Sequence, residues 1–404
     1  MARLLFLAHR IPYPPDKGEK IRAFHILRHL SHHFEVECGC LVDDPADEAH
    51  IAGLSAEVAH LEARRVRGRA LAALRHLRPG RPLSWGWFRD AGLARWVGRG
   101  LAAGRYEAVF VYSSAMAPYV MGWPRRPHGQ RRVLDLVDVD SEKFAAYAAA
   151  GRLPMRLVHR REAPTLLALE RRAALAFDRA LFVSAAEVDR FTALAPETRP
   201  RVGFLENGVD AARFDPAGTW PDPLPGPGAK IVFTGAMGYA PNIEAVVWFA
   251  EAMLPAIRAR HPATRFVVVG QNPAPAVRAL EGLPGVTVTG TVGDVRPYLA
   301  HAALAVAPLR LARGIQNKVL EAMAMALPVV ATPQAFEGIH ATPGRDLLVA
   351  GDPAAFAAAV SAVLEGRHPG LGRAARAAVL AGHDWRATLA PLDALLRPAT
   401  PTGR

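Results

Sequence analysis

Cysteine is nearly absent from this chain: two residues in 404, Cys38 and Cys40, both in the stretch FEVECGCLV. Two thiols on one strand face, with no second ligand pair nearby, exclude a disulfide framework and a structural zinc site, and read as buried side chains. Long apolar runs are missing too. None reaches the roughly 18 residues needed to span a bilayer, and the opening LLFLA is too short and wrongly flanked for a signal peptide, so a cytoplasmic location is expected. The chain carries no P-loop, GxSxG or HExxH pattern, and no GxGxxG opens a helix after its first strand. RRM, KH and zinc-finger patterns are likewise absent, which sets nucleic acid aside as a partner despite a net charge of +12.

That charge then points to an anionic membrane surface. It is densest at 63–82, ARRVRGRALAALRHLRPGRP, where Val66, Leu71, Leu74 and Leu77 can share one helical face among arginines. The competing reading is a solvated basic face. At this length and 51% hydrophobic residues, two cores are expected rather than one. Short β-branched runs recur between helix-length stretches: RLLFLA, VECGCLV, AVFVYSS, RVLDLVDV and ALFVS, then KIVFTG, RFVVVGQ, VTVTG, LAVAPL and PVVAT. This alternation predicts an α/β chain with parallel sheets. Between the two series, residues 211–228 are crowded with Pro and Gly and read as a linker. The expected organisation is a Rossmann-like domain over 1–210, a second over 229–383, and a C-terminal helix and tail over 384–404 packing back towards the first. Two doubly wound domains of this kind are expected to face a central cleft, with ligands beyond the carboxyl ends of the strands.

One stretch concentrates chemistry there: RGIQNKVLEAMAMALPVV, 313–330. A glycine, Gly314, precedes a helix beginning near Gln316 or Asn317, and a helix start offers free N–H groups and a positive dipole end to an anion. Arg310, Arg313 and Lys318 add formal charge at the same place. Glu321, one turn further in, can accept hydrogen bonds from two vicinal hydroxyls such as those of a ribose. A nucleoside diphosphate fits this spacing; so does an ordinary i,i+3 surface pair of Lys318 and Glu321 on a helix with an apolar core face.

With its neighbours included, the sequence resembles the GT4 family of glycosyltransferases, over nearly the whole chain and in the right order: ENGVD at 206–210, FTGAMGYAPNIEAVVWF at 233–249, VVVGQNP at 267–273, VTGTVGDVRPYL at 288–299, and EAMAMALPVVAT. The resemblance implies the GT-B fold and a metal-free, retaining transfer from a nucleotide sugar. It implies that Glu321 holds the ribose and that Gly270 and the Gly290–Val292 loop border the base. It places Gly235 in the glycine loop of the donor domain, and the N–H groups of Gly314, Ile315 and Gln316, ahead of Asn317, towards phosphates and sugar. Two departures stand out. Arg313 occupies the place of the first Glu of the family's EX7E motif, and Ala326 replaces a Gly, which reads as a packing difference. AMGYAPN also lacks the Arg and Lys that many relatives carry there, a charge that Arg313 and Lys318 can supply instead.

In the first domain, the turn after RLLFLA contains Asp16, Lys17 and Gly18; Gly18 looks like the small residue that lets backbone approach the reactants, with Lys17 as a phosphate contact. The following helix is expected to turn Ile21, Phe24, Ile26, Leu27 and Leu30 inward. Asp138 and Asp140 in DLVDVDSEKF read as strand-end groups near the acceptor, with a helix N-cap at Asp140 or Ser141 as the alternative. Asp138 is the candidate for orienting the acceptor, and His9, at the end of the first strand, is a further catalytic candidate beside Arg313. The expected activity is transfer of a sugar to a lipid-linked or growing saccharide acceptor; PYPPDKGEK and RGIQNKVLEAMAM resemble a bacterial exopolysaccharide-associated subgroup. A nucleotide-sugar hydrolase or epimerase, or a non-catalytic saccharide-binding partner, are the alternatives.

Overall fold

The computed structural model describes residues 1–15, 18–66, 80–123, 125–127, 129–151, 153–312 and 314–397. The chain forms two compact units, Met1–Glu206 joined by the residues from Leu389 on, and Asn207–Thr388.

The first unit is built on seven parallel strands: β1 (Arg3–Ala8), β2 (Glu35–Val42), β3 (His60–Arg65), β4 (Ala108–Tyr112), β5 (Arg131–Val137), β6 (Arg179–Phe182) and β7 (Val202–Phe204), in the order β3-β2-β1-β4-β5-β6-β7. Helices cover both faces, so β1 and β4 are apolar almost throughout instead of alternating. Cys38 and Cys40 are free and fully buried in β2, and the Cys38 thiol is pushed up by its hydrogen bond with Cys40 and by burial. Buried thiols were the expectation, and the structure agrees.

Three expectations need correction. Residues 63–65 belong to edge strand β3, and Val66 continues it, donating its N–H to Val42 O at 2.9 Å, so the proposed helical face cannot start there; Leu71, Leu74 and Leu77 lie outside the described residues. On the helix Gly18–Ser31, Ile21 is only half-buried, whereas Lys20 and Arg22 are buried because each meets a carboxylate, Asp47 at 2.7 Å and Asp135 at 2.8 Å. The C-terminal helix is two short ones, Trp385–Leu389 and Pro391–Leu396, divided where Pro391 has no N–H to continue the ladder.

The second unit has six parallel strands: β8 (Lys230–Thr234), β9 (Arg265–Val269), β10 (Val286–Val288), β11 (Leu304–Ala307), β12 (Val329–Ala331) and β13 (Leu348–Val349), ordered β10-β9-β8-β11-β12-β13. Its core includes the Phe249–Phe266 pair, ring centroids 4.5 Å apart, and also Phe214 from the Pro/Gly-rich stretch. Arg376 holds that stretch by donating to Phe214 O at 2.9 Å. In both units the chain winds outward from a central strand, then returns to that strand's other side. The order therefore reverses between β1 and β4 and between β8 and β11, and loops leaving the carboxyl ends of such pairs diverge into a crevice.

No helix among the described residues is long and apolar enough to cross a membrane.

Candidate functional site

At the carboxyl edge of the second sheet, two glycines bring backbone unusually close. Gly235 N donates to Val269 O at 3.0 Å, and a Cβ on Gly270 would lie 1.6 Å from Gly235 O. A Cβ on Gly235 would meet Asn242 Nδ2 at 2.8 Å and Lys318 Cε at 3.4 Å. Only glycine fits at Gly270, and the bare backbone at Gly235 borders Lys318.

Lys318 crosses the strand-order reversal. It stands in the first turn of the helix Asn317–Ala324, which follows β11, and its Nζ donates to Asn242 Oδ1 at 3.1 Å, on the helix Ala240–Ala252 that follows β8. Phe233 lies beneath it, 5.3 Å from Nζ to the ring centroid. Desolvation pulls the ammonium down to about 8, against the pull of Glu321. Burial pushes the Glu321 carboxyl up to about 7, opposed by Lys318 and Arg213. Both side chains keep some exposed surface, yet they are densely surrounded by protein, and this surrounding density governs their titration. No ion pair within 4 Å joins them among the described residues, so the surface-pair reading does not hold: Lys318 Nζ is engaged by Asn242 instead. Asn317 Oδ1 is buried there without a hydrogen bond among the described residues. No side chain caps the helix start, and Gln316, extended at φ −86°, instead donates its Nε2 to Gly314 O at 3.0 Å.

This pair makes pH a probe. If the Glu321 carboxylate accepts hydroxyl hydrogen bonds and the Lys318 ammonium faces phosphate, ligand binding needs one deprotonated and the other protonated. Below about pH 7 binding must expel a proton from Glu321; above about 8 it must load one onto Lys318. Affinity for a nucleotide sugar is expected to peak between these values and fall up to tenfold per unit outside them, measurable by calorimetry from pH 5.5 to 9.5. A flat profile contradicts this assignment.

Ala326 is more than a packing substitution. The helix ends in a Schellman motif, with Ala326 N donating to Met323 O at 3.0 Å and Leu327 N to Ala322 O at 3.1 Å, and Ala326 has φ +55°. That left-handed position strains any residue with a Cβ. Ala326→Gly is expected to stabilise the unit by about 1 kcal/mol, read as a rise of roughly 2–4 °C in its melting temperature. An unchanged or lower midpoint would contradict the strain.

Other predicted donor-loop positions also sit at this edge: Gly290 follows β10 and Val292 packs partly buried against the core, as does Ile315. Arg313, Asp16 and Lys17 lie outside the described residues. Arg310, the other nearby arginine, is engaged by Glu244 and lies over the Trp248 ring at 4.7 Å. Two participants escaped sequence reading. Asn242 is the partner of Lys318, and Arg213, from the Pro/Gly-rich stretch, adds charge beside Glu321.

In the first unit, His9 follows β1 and stacks on Tyr112 at 5.8 Å, with Phe88 edge-on at 5.2 Å. Its Nε2 is 3.8 Å from Glu19 Oε2, and its Nδ1 is buried without a hydrogen bond among the described residues. Glu19, beside Gly18 at the start of its helix, is held down to about 2, chiefly by His9 and Arg10 in spite of burial. Asp138 accepts from Lys143 Nζ at 2.7 Å, and Asp140 from the same nitrogen at 3.1 Å. Burial pushes Asp140 up, against Lys143; burial would lower Lys143, but the two carboxylates hold it above its usual value. Neither Asp140 nor Ser141 caps the helix Asp140–Ala150, correcting that alternative. Its start is satisfied from elsewhere: Glu187 accepts from Val139 N at 2.8 Å and Glu170 from Ser141 N at 3.2 Å. The turn is strained, Val137 having φ +69° and Ser113, at the end of β4, +83°.

No curated protein matches the sequence. Solved structures share its fold. Sucrose-phosphate synthase from Thermosynechococcus elongatus superposes with TM-score 0.66 at 17% identity, over 98% of both chains. HepE of Anabaena, solved with UDP and glucose, gives 0.65 at 15% over 98% of this chain and 99% of that one. A glycosyltransferase from Rickettsia africae gives 0.67 at 11% over 98% and 97%. The two parallel α/β units are thus those of the GT-B fold, and over residues 228–366, which contain Gly235, Gly270, Lys318 and Glu321, the sequence matches the family model of glycosyl transferases group 1.

Proposed function

We propose that this chain is a retaining, GT4-type glycosyltransferase that moves a hexose from a nucleoside-diphosphate donor to a lipid-linked or growing saccharide, in exopolysaccharide assembly at the cytoplasmic face of a membrane. The observation that carries the donor half is the Lys318–Glu321 arrangement: a cation spanning the strand-order reversal of the second unit, a carboxylate one helical turn beyond it, and two glycine backbones alongside. Glu321 takes the ribose hydroxyls, and Lys318 with the start of its helix takes the diphosphate. Arg213 lends further charge. His9 and Asp138 are the proposed acceptor-side groups.

In the reaction, the bond from the anomeric carbon to the diphosphate breaks and a bond to the acceptor oxygen forms on the same face. The acceptor's proton passes to a leaving phosphate oxygen. The protein positions both partners and stabilises the departing charge. Nothing in this requires a nucleophile, which agrees with the absence of an activated Ser or Cys motif in the sequence.

A thermal-shift and turnover screen with UDP-, GDP- and ADP-sugars tests the proposal, UDP-glucose first because a protein of this fold was solved with UDP and glucose. Stabilisation by one of them, lost in Glu321→Ala, is the expected result; indifference to all three overturns it. Donor cleavage without acceptor would favour a hydrolase, and binding without turnover a non-catalytic role, the reading that Arg313 in place of a Glu keeps in play.

A further inference from the structure

One cluster lies outside the machinery described so far. His29 stands in the last turn of the helix Gly18–Ser31 and His33 in the turn that follows it, where His33 N donates to Leu30 O at 3.0 Å, and their ring centroids lie 5.2 Å apart. Between them comes the carboxylate of Asp393 from the helix Pro391–Leu396, 364 residues away in sequence from His29. His29 Nε2 lies 2.9 Å from Asp393 Oδ1, and His33 Nε2 lies 3.7 Å from Asp393 Oδ2. The carboxylate faces both imidazoles, one with each oxygen, and ligand atoms of the three residues all fall within 4.8 Å of one another.

We infer that His29, His33 and Asp393 form a transition-metal site, suited to Zn²⁺, that fastens the helix Pro391–Leu396 to the first helix of this unit. Two imidazole nitrogens and one carboxylate oxygen are a borderline donor set, which zinc accepts and the hard cations Mg²⁺ and Ca²⁺ do not. Tetrahedral bonds of about 2.0–2.1 Å put neighbouring ligand atoms about 3.3–3.4 Å apart, so the observed 2.9 and 3.7 Å need only small side-chain adjustments. A fourth position remains for water, because His33 is 47% exposed. Asp393 is well placed to serve: Leu392 and Leu396, flanking it on its short helix, are fully buried and fix that helix on the unit.

The geometry favours a metal over a simple His–Asp hydrogen bond. A single bond would use one imidazole, whereas here a second ring is drawn to the same carboxylate. The site is independent of the donor reading, since His29 is about 15 Å along the helix from Glu19. It bears on how the helix Pro391–Leu396 is held, not on the transfer, for which no metal is expected.

The experiment uses the full chain, stripped with EDTA, dialysed and titrated with zinc sulfate by calorimetry and thermal melting. One Zn²⁺ per chain with micromolar or tighter Kd is expected, with the melting temperature raised by about 5 °C at a hundredfold excess over Kd. His33→Ala and Asp393→Asn, both at partly exposed positions, should each weaken uptake at least tenfold, while His32→Ala should not. Substoichiometric uptake, or uptake that survives His33→Ala and Asp393→Asn together, overturns the site. UDP-sugar binding, followed in parallel, should be the same with and without zinc.

Discussion

Glu321→Ala is expected to lower kcat/KM for the nucleotide sugar by roughly 10²–10³. A half-buried carboxylate that accepts two hydroxyl hydrogen bonds contributes on the order of 3–4 kcal/mol, at about 1.5–3 per charge-assisted bond with imperfect additivity. Because the ribose does not react, its contacts are the same in ground and transition states, so the loss should appear mainly in KM. Lys318→Met should behave differently. The diphosphate gains charge as the sugar leaves, so removing the ammonium should depress kcat as well. Lys318 also holds Glu321 down, so in Lys318→Met the acid limb of the affinity profile should move above pH 7. Steady-state kinetics with donor varied at fixed acceptor, repeated across pH, separates the two. A Glu321→Ala enzyme with unaltered KM would remove the ribose assignment, and a Lys318→Met enzyme with unaltered kcat would remove the phosphate one.

The charge around Glu321 also bears on the sequence's departures from the GT4 pattern. We propose that the loop lacking cations after β8 is compensated from the opposite side of the strand-order reversal. Lys318 reaches back across it to Asn242, and Arg213 approaches from the stretch before β8. Arg310 does not join them, being engaged by Glu244. The charge that Arg313→Ala removes should therefore matter less to donor affinity than that of Lys318.

What could be read from sequence followed physical rules that act locally. Central parallel strands are buried on both faces, so β1, β4, β8 and β9 appear as apolar runs. Edge strand β3, HLEARR, is half-exposed and charged; nothing in its composition separates its last residues, 63–65, from the basic stretch that follows, whose pattern suggests a helix. Strands β7 and β13 have three and two residues, too short for a pattern. The same division holds at the site. Lys318 and Glu321 were legible because one helical turn separates them beside a glycine. Asn242 and Arg213 were not, since only the tertiary fold brings them to that helix. Ala326 needed its backbone angle: the sequence records the missing glycine, while the Schellman geometry shows why a glycine belongs there.

Asp135→Ala is expected to destabilise the first unit by about 3–5 kcal/mol, lowering its melting temperature by roughly 10 °C. Asp135 has no exposed surface and Arg22 has 1%. Arg22 Nε donates to Oδ2 at 2.8 Å and Nη2 to Oδ1 at 3.2 Å, a two-pronged bond inside the unit. Burial pushes the Asp135 carboxyl up, and the guanidinium with the Val137 N–H pulls it back. Since arginine stays charged, the carboxylate is the form that satisfies it. Removing one partner strands a buried charge, whereas the double variant Arg22→Met, Asp135→Leu removes both and should recover much of the loss. The pair also has a positioning role. Asp135 Oδ1 accepts from Val137 N at 3.1 Å, a side-chain bond that ties down the strained residue just before Asp138. Arg22, one turn after Glu19, links that turn to the helix whose Glu19 faces His9. The double variant, stable but without this brace, should therefore bind donor normally yet transfer sugar at least tenfold more slowly. Donor binding by calorimetry and acceptor-dependent turnover on the same preparation decide it. Full turnover in the double variant would leave the pair a purely structural one.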